Sequence, residues 1–305
     1  MFTPAELQAA VDEHGSIDRA AKALGRPRDG FRKDCRAAGV FVCPVPPQRL
    51  RWGYGQAELV PSLPGTTELV AFVPDIHIPY QDHGLVDSCL NLISSLDPDR
   101  VVLLGDVLDF HAISRWNAGM DRLDNLQDEI DEAKGLLARI RERAQRADIH
   151  WTEGNHDERL DKYIATEARA LKSLRSLSMS EQLGLKDLEI TYHHGQGFRL
   201  RPEFLVKHGT MIRKGAGASA KAECMSAGIS GISGHTHRLA PWRQDGYRSL
   251  QWNEAGTLSR LDPPYHPGAP DWRQGMCIGF FGKASWRVEE VYVEGGRLVY
   301  GGRTF

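Results

Sequence analysis

The chain has 305 residues, 41% apolar and 26% charged, and its 38 basic and 40 acidic side chains leave a formal charge of −2. That size accommodates one large domain and a small one, and the charge balance excludes a uniformly basic coat for nucleic acid, so any anion binding has to be local. Five scattered cysteines (Cys35, Cys43, Cys89, Cys224, Cys277) form no CxxC pair. This argues against a disulfide framework or a zinc ribbon and leads us to expect a cytoplasmic protein. No stretch approaches the roughly 18 apolar residues that span a bilayer, and the N-terminus carries no basic-then-apolar leader, so neither anchor nor export signal is expected.

Residues 1–41 read as three short helices. Pro4 to His14 carries Leu7 and Val11 four apart and stops at Gly15; Ser16 caps a second helix with Ile17, Ala20, Ala21 and Leu24 on one face, closed by Gly25. A third runs from Asp29 to Ala38 and turns Phe31 and Cys35 inward before Gly39. The triplet resembles a helix-turn-helix DNA-binding module, which places Arg28, Arg32, Lys33 and Arg36 on or beside the recognition helix. Residues 1–52 hold nine Lys or Arg against six Asp or Glu, a net of +3 that suits phosphate contacts. The alternative is a helical cap or assembly element with a solvated charged face. Pro44, Pro46, Pro47, Pro61, Pro64 and Gly65 then mark residues 42–66 as a linker.

From residue 67 to 305 the pattern changes to short strand-like runs. Leu69 to Val73 leads into Asp75, Val101 to Leu104 into Asp106, Ile149 to Thr152 into Asn155, Phe204 to Val206 into His208, and Gly231 to Ser233 into His235. Helical stretches at Leu85–Leu96 and Leu123–Ala147 are long enough for parallel crossovers. This is an α/β pattern that delivers polar residues to one rim. The tail, with Glu289 to Val293 and Arg297 to Gly301, alternates like antiparallel edge strands.

The rim residues form five motifs in order: Asp75-Ile76-His77, Gly105-Asp106-Val107-Leu108-Asp109, Gly154-Asn155-His156-Asp157, Lys207-His208-Gly209 and Gly234-His235-Thr236-His237. Read as DxH, GDxxD, GNHD, a single His and GHxH, the series resembles the calcineurin-like metallophosphoesterase superfamily. The resemblance implies βαβ units in a two-sheet sandwich with flanking helices, and hydrolysis of phosphate esters. It also implies two divalent ions, the first held by Asp75, His77 and His237, the second by Asn155, His208 and His235, with Asp106 bridging. Such a pair neutralises the ester's negative oxygens and lowers the pKa of a bridging water so that hydroxide is present near neutral pH. The mixed nitrogen and oxygen donors suit manganese, with iron, zinc or nickel as alternatives, better than calcium. His156 resembles the family histidine that is not a ligand but faces the substrate, and Asp109 the carboxylate that hydrogen-bonds it. His193 and His194 compete with His208 for its role. His83, His111, His150 and His266 read as structural, with His111 near enough to Asp109 to reach the site.

The metal motifs do not select a substrate. Phe110 and Asp157 stand where Ser/Thr protein phosphatases have Arg and Glu, which disfavours that branch. The segment Arg199–Lys221 carries Arg199, Arg201, Lys207, Arg213, Lys214 and Lys221 against Glu203 alone. It reads either as a rim for a polyanion, with Arg213 and Lys214 at its centre and a Gly-rich turn presenting N–H groups, or as a solvated loop. Three functions remain. The first is a phosphodiesterase or nuclease on nucleic acid, similar to the nucleases of double-strand-break repair or phage DNA metabolism. The second is a phosphatase or phosphodiesterase for nucleotides or other small molecules, with the N-terminal helices used for assembly. The third is a DNA-binding regulator with an inactive phosphoesterase domain. Trp242, Trp252 and Trp272 either stack on bases or, as we expect first, pack the sheet.

Overall fold

The computed structural model describes residues 3–14, 17–38, 57–63, 67–114, 125–195, 197–246, 249–263, 271–283 and 285–305. The expected Ser16 cap, most of the proposed linker, Cys43 and His266 lie outside the described residues. The chain divides into two compact units, one built on Met1–Gly55 and one on Gln56–Asp245 with Ser249–Phe305.

In the first unit, α1 (Pro4–His14), α2 (Ile17–Ala23) and α3 (Arg28–Ala37) follow one another closely. Leu7, Val11, Ala20, Ala21, Phe31 and Cys35 form its buried cluster. The small Ala20-Ala21 pair lets the helices approach around the Phe31 ring. Leu24, expected inside, is 37% exposed, because α2 ends at Ala23 and the chain turns away through Gly25 at φ 63°. Arg28, Arg32, Lys33 and Arg36 are exposed, and Arg26 pairs with Asp34 at 2.9 Å.

In the second unit, two mixed sheets pack face to face. The larger orders its eight strands as β14-β13-β12-β11-β2-β3-β4-β5. Its parallel half is β2 (Thr67–Val73), β3 (Arg100–Leu103), β4 (Asp148–Thr152) and β5 (Ile190–His193). Its antiparallel half is β11 (Gly275–Gly282), β12 (Trp286–Glu294), β13 (Arg297–Tyr300) and β14 (Arg303–Thr304). The tail therefore forms the antiparallel edge its alternation implied.

The smaller sheet runs β1-β6-β7-β8-β10-β9. It comprises β1 (Glu58–Leu59), β6 (Phe198–Arg201), β7 (Phe204–Val206), β8 (Ser230–Ser233), β9 (Leu239–Gln244) and β10 (Leu250–Ala255). β1 falls inside the stretch read as linker. It pairs in parallel with Phe198 and Arg199, and Val60 just after it is buried between the sheets.

Alternation along the strands makes two cores. Val70, Phe72, Val102 and Leu104 point between the sheets, toward Phe204, Ile232 and Phe281. Their neighbours Ala71, Val73, Val101 and Leu103 point the other way, into a cluster with α4 (His83–Leu96) and α5 (Leu126–Arg143). A strand covered on both faces needs apolar side chains at every position, which is why these runs are continuous in sequence. Among the described residues, no helix is long and apolar enough to cross a membrane.

Candidate metal centre

The motifs sit where strands end, and the backbone there is unusual. His77, Asp106, His235 and His237 adopt left-handed φ values of 56°, 48°, 70° and 55°. Such conformations cost a non-glycine residue about 1–3 kcal/mol each and persist only where surrounding contacts hold them. Here the N–H groups of Ile76 and His77 both donate to the Asp106 carbonyl at 3.0 Å, and Leu258 N–H donates to that of Asp75 at 2.8 Å. Two glycines complete the packing. A Cβ on Gly154 would collide with the Asp106 carboxylate, and one on Gly234 with that of Asp75.

All seven residues expected as ligands are brought together. His237 Nε2 lies 3.1 Å from Asp75 Oδ2 and 2.9 Å from His77 Nε2. His208 Nε2 lies 3.1 Å from Asn155 Oδ1, 3.1 Å from Asp106 Oδ2 and 3.2 Å from His235 Nδ1. Asp106 Oδ2 is also 3.7 Å from His77 Nε2, so one carboxylate oxygen faces both sets. Donor atoms converge within 4.8 Å in three groups: Asp75, His77 and His237; His77, Asp106 and His156; and Asp106, His208 and His235.

The chemistry of these donors fits cations. His208 Nδ1 faces the Leu104 carbonyl at 2.8 Å and His77 Nδ1 faces Asp109 Oδ2 at 3.0 Å. With a neutral ring, each would give its Nδ1 proton to an oxygen and turn an Nε2 lone pair toward other acceptors, so positive charge, from a proton or a cation, is needed between them. Burial alone would depress the His208 imidazole, yet Asp106 beside it pushes it up to about 9. Burial likewise opposes charge on Asp106, but His208 and His156 hold its carboxyl far below the usual carboxylate range. His235 is pushed down to about 4 by burial and by His208, so it presents a neutral ring. A proton can satisfy one of these contacts; a divalent cation in each set satisfies them together.

A profile of the calcineurin-like phosphoesterases matches residues 69–239. The chain belongs to the calcineurin-like phosphoesterase family. It is 25% identical over 256 residues to the Gene 54 proteins of Mycobacterium phages D29 and L5, a match that covers 77% of this chain and 98% of each relative. It also aligns with the structure of Vacuolar Protein Sorting 29 from Cryptosporidium parvum at TM-score 0.44 and 13% identity, over 79% of this chain and 99% of that one. The two sheets, the helices on their outer faces and the paired donor sets are those of a metal-dependent phosphoesterase of this family.

Around the candidate ligands of this phosphoesterase lies a layer that the motifs only partly announce. Asp109 Oδ2 sits 3.0 Å from His77 Nδ1 and 3.3 Å from His156 Nδ1. The shorter contact to His156 comes from the Asp109 backbone carbonyl, at 3.0 Å. The carboxylate expected to orient His156 therefore orients His77 as well. His111 does reach Asp109, at 3.8 Å.

Asp157, noted in the sequence only as a departure from the protein phosphatases, is 2% exposed. It accepts from the N–H groups of Asp106, Val107, Leu108 and Gly154 and from Trp151 Nε1, at 2.8–3.3 Å. That carboxylate clamps the turn carrying Asp106. Arg159 was also missed: its Nη2 donates to His156 Nε2 at 3.1 Å and its Nη1 to the Asp109 carbonyl at 2.8 Å. The spacing of three from His156, into the next helical turn, is the signal that could have found it.

The basic segment shrinks in three dimensions. Arg201 pairs with Glu68 at 3.0 Å and lies over the Phe281 ring. Arg199 donates to the Ala57 carbonyl at 3.1 Å, and Lys207 is buried against Glu223 at 2.9 Å. These three belong to the fold, each drawn inward by a partner remote in sequence. Arg213, Lys214 and Lys221 remain exposed. The Gly-rich turn is also committed, because Gly217 N–H donates to the buried Glu254 carboxylate at 2.5 Å. His193, one rival for the role of His208, instead stacks on Phe198 and His150. Trp252 packs as expected and donates to Ser233 Oγ at 3.0 Å, whereas Trp272 makes a T-shaped contact with His237, ring centroids 4.3 Å apart.

Proposed function

We propose that this phosphoesterase is a dinuclear, manganese-preferring phosphodiesterase or nuclease acting on nucleic acid. The observation that carries the dinuclear reading is the placement of Asp106 Oδ2 within 3.7 Å of both His77 Nε2 and His208 Nε2. In this reading Asp75, His77 and His237 would hold one ion and Asn155, His208 and His235 the other, with the Asp106 carboxylate available to both. When bound, the ions supply neutralising charge to the phosphate oxygens and an activated water.

The chain's own residues do the rest. His156 is fixed at three points: its N–H donates to Asp106 Oδ1 at 2.8 Å, its Nδ1–H to the Asp109 carbonyl at 3.0 Å, and its Nε2 faces Arg159. Nε2 is the ring atom left to face the substrate in this reading, and it passes a proton to the leaving oxygen from the imidazolium form, in which the Arg159 guanidinium has turned from Nε2 to the substrate's anionic oxygen.

Two features support a polymer. Arg213 and Lys214 are exposed a few residues beyond His208, on a loop held by Glu223, whose Oε1 accepts from the N–H groups of Thr210 and Met211 at 2.6 and 2.9 Å. The exposed Arg28, Arg32, Lys33 and Arg36 of α3 offer a second phosphate-binding face. The placement of Arg199, Arg201 and Lys207 inside the fold favours the second reading, a small-molecule phosphoesterase, since it leaves a narrower basic rim. Metal-stripped protein restored with manganese is expected to hydrolyse an aryl phosphodiester faster than the matching monoester. Preference for the monoester would overturn the nuclease reading.

A further inference from the structure

α6 (Arg159–Glu167) leaves the metal centre directly after Asp157 and Glu158. Leu160 and Ile164 anchor it, each 8% exposed. Its other face, with Ala112, Ile113 and Ser114 opposite, walls a cavity of about 830 Å³ that begins at Asn155. That volume falls in the range of small-molecule sites and exceeds what a phosphate group alone requires.

The lining residues of α6 change character along the helix. Arg159 stands at the inner end, its guanidinium against His156 and Asp109. Lys162 and Tyr163 follow at positions three and four residues on, which places them on the same helix face. Glu167, the last residue of α6, also lines the cavity. Positive charge therefore sits next to the candidate catalytic histidine and negative charge away from it, with an aromatic ring between. Tyr163 is 44% exposed even though α6 is already anchored by two apolar residues, so the core does not require its ring.

We propose that this cavity is the subsite for the nucleotide on the leaving side of the scissile phosphate, with Arg159 and Lys162 facing its anionic backbone and Tyr163 stacking on its base. The inference rests on the nucleic-acid reading above and deepens it. The side follows from His156, whose Nε2 faces the leaving oxygen in that reading and is the atom Arg159 touches. Arginine's planar fork suits a phosphate or a negatively charged ester oxygen there. Lys162 also pairs with Glu158 just before the helix, and Arg159 is held beside the histidine by its Nη1 bond to the Asp109 carbonyl. The ring restricts the polymer as well. A base reaches Tyr163 only after leaving its neighbours in a duplex, so the substrate enters as a single strand or a frayed end.

The test compares manganese-loaded wild type, Tyr163→Phe and Tyr163→Ala by the ratio of kcat/KM for a short oligothymidylate to kcat/KM for an aryl diester. Stacking on one base predicts that the ratio falls about 10-fold in Tyr163→Ala and is kept in Tyr163→Phe. Fluorescence anisotropy of labelled oligothymidylate on the same proteins reports the matching loss in affinity. A wild type that neither binds oligothymidylate nor prefers it to the aryl diester overturns the nucleic-acid reading and the subsite with it. A wild type that prefers it, with the ratio unchanged in Tyr163→Ala or equally lowered in both variants, overturns the subsite alone.

Discussion

Asp106→Asn is expected to lower manganese-dependent phosphodiester hydrolysis by more than about 100-fold, beyond the upper end of what losing an outer-shell partner of a metal ligand costs. The carboxylate is asked to do three things at once. Its Oδ2 faces His208 Nε2 at 3.1 Å and His77 Nε2 at 3.7 Å, while its Oδ1 accepts the His156 N–H at 2.8 Å. Asparagine keeps the shape and can still accept one hydrogen bond, but it brings no charge to two cations. The fold should survive, since the turn is held by Asp157 through the Asp106, Val107 and Leu108 N–H groups rather than by the Asp106 side chain. Steady-state kinetics checked against a melting curve in chelator separates the two effects. Activity within a few-fold of wild type would remove Asp106 from the centre of the account.

His156→Asn is expected to cost about 10²–10⁴-fold in kcat, the range for a positioned general acid, with metal content unchanged. The loss should depend on the leaving group. A nitrophenolate departs with little help, whereas a sugar alkoxide needs a proton, so the ratio of wild-type to variant rates rises from the aryl diester to an oligonucleotide. A uniform loss across both substrates would assign His156 to charge stabilisation rather than proton transfer.

Much of this was legible in the sequence because the relevant signals are local. The continuous apolar runs before Asp75 and Asp106 belong to strands covered on both faces, whereas the strand before Asn155 buries His150 and Thr152 among its apolar residues. The motif glycines were legible for a similar reason, since Gly154 and Gly234 lie against carboxylates that leave no room for a Cβ. What escaped depends on partners distant along the chain. The runs before His208 and His235 have the same pattern as the others, yet β7 and β8 pair with each other in the smaller sheet. Nothing in runs as short as Phe204–Val206 or Ser230–Ser233 states which sheet they join. Arg201 and Lys207 looked like a basic rim because their partners, Glu68 and Glu223, stand 133 and 16 residues away. Asp109 was read as serving His156 alone, although His77, 32 residues before it, shares the same oxygen. Leu24 failed for a smaller reason: α2 ends one residue before it.

Whether two ions share Asp106 can be seen by anomalous diffraction from manganese-loaded crystals. Two peaks about 3.5–4 Å apart are expected, one among Asp75, His77 and His237 and the other among Asn155, His208 and His235, each beside the Asp106 carboxylate. A single peak, or two peaks of which one lies away from Asp106, would contradict it.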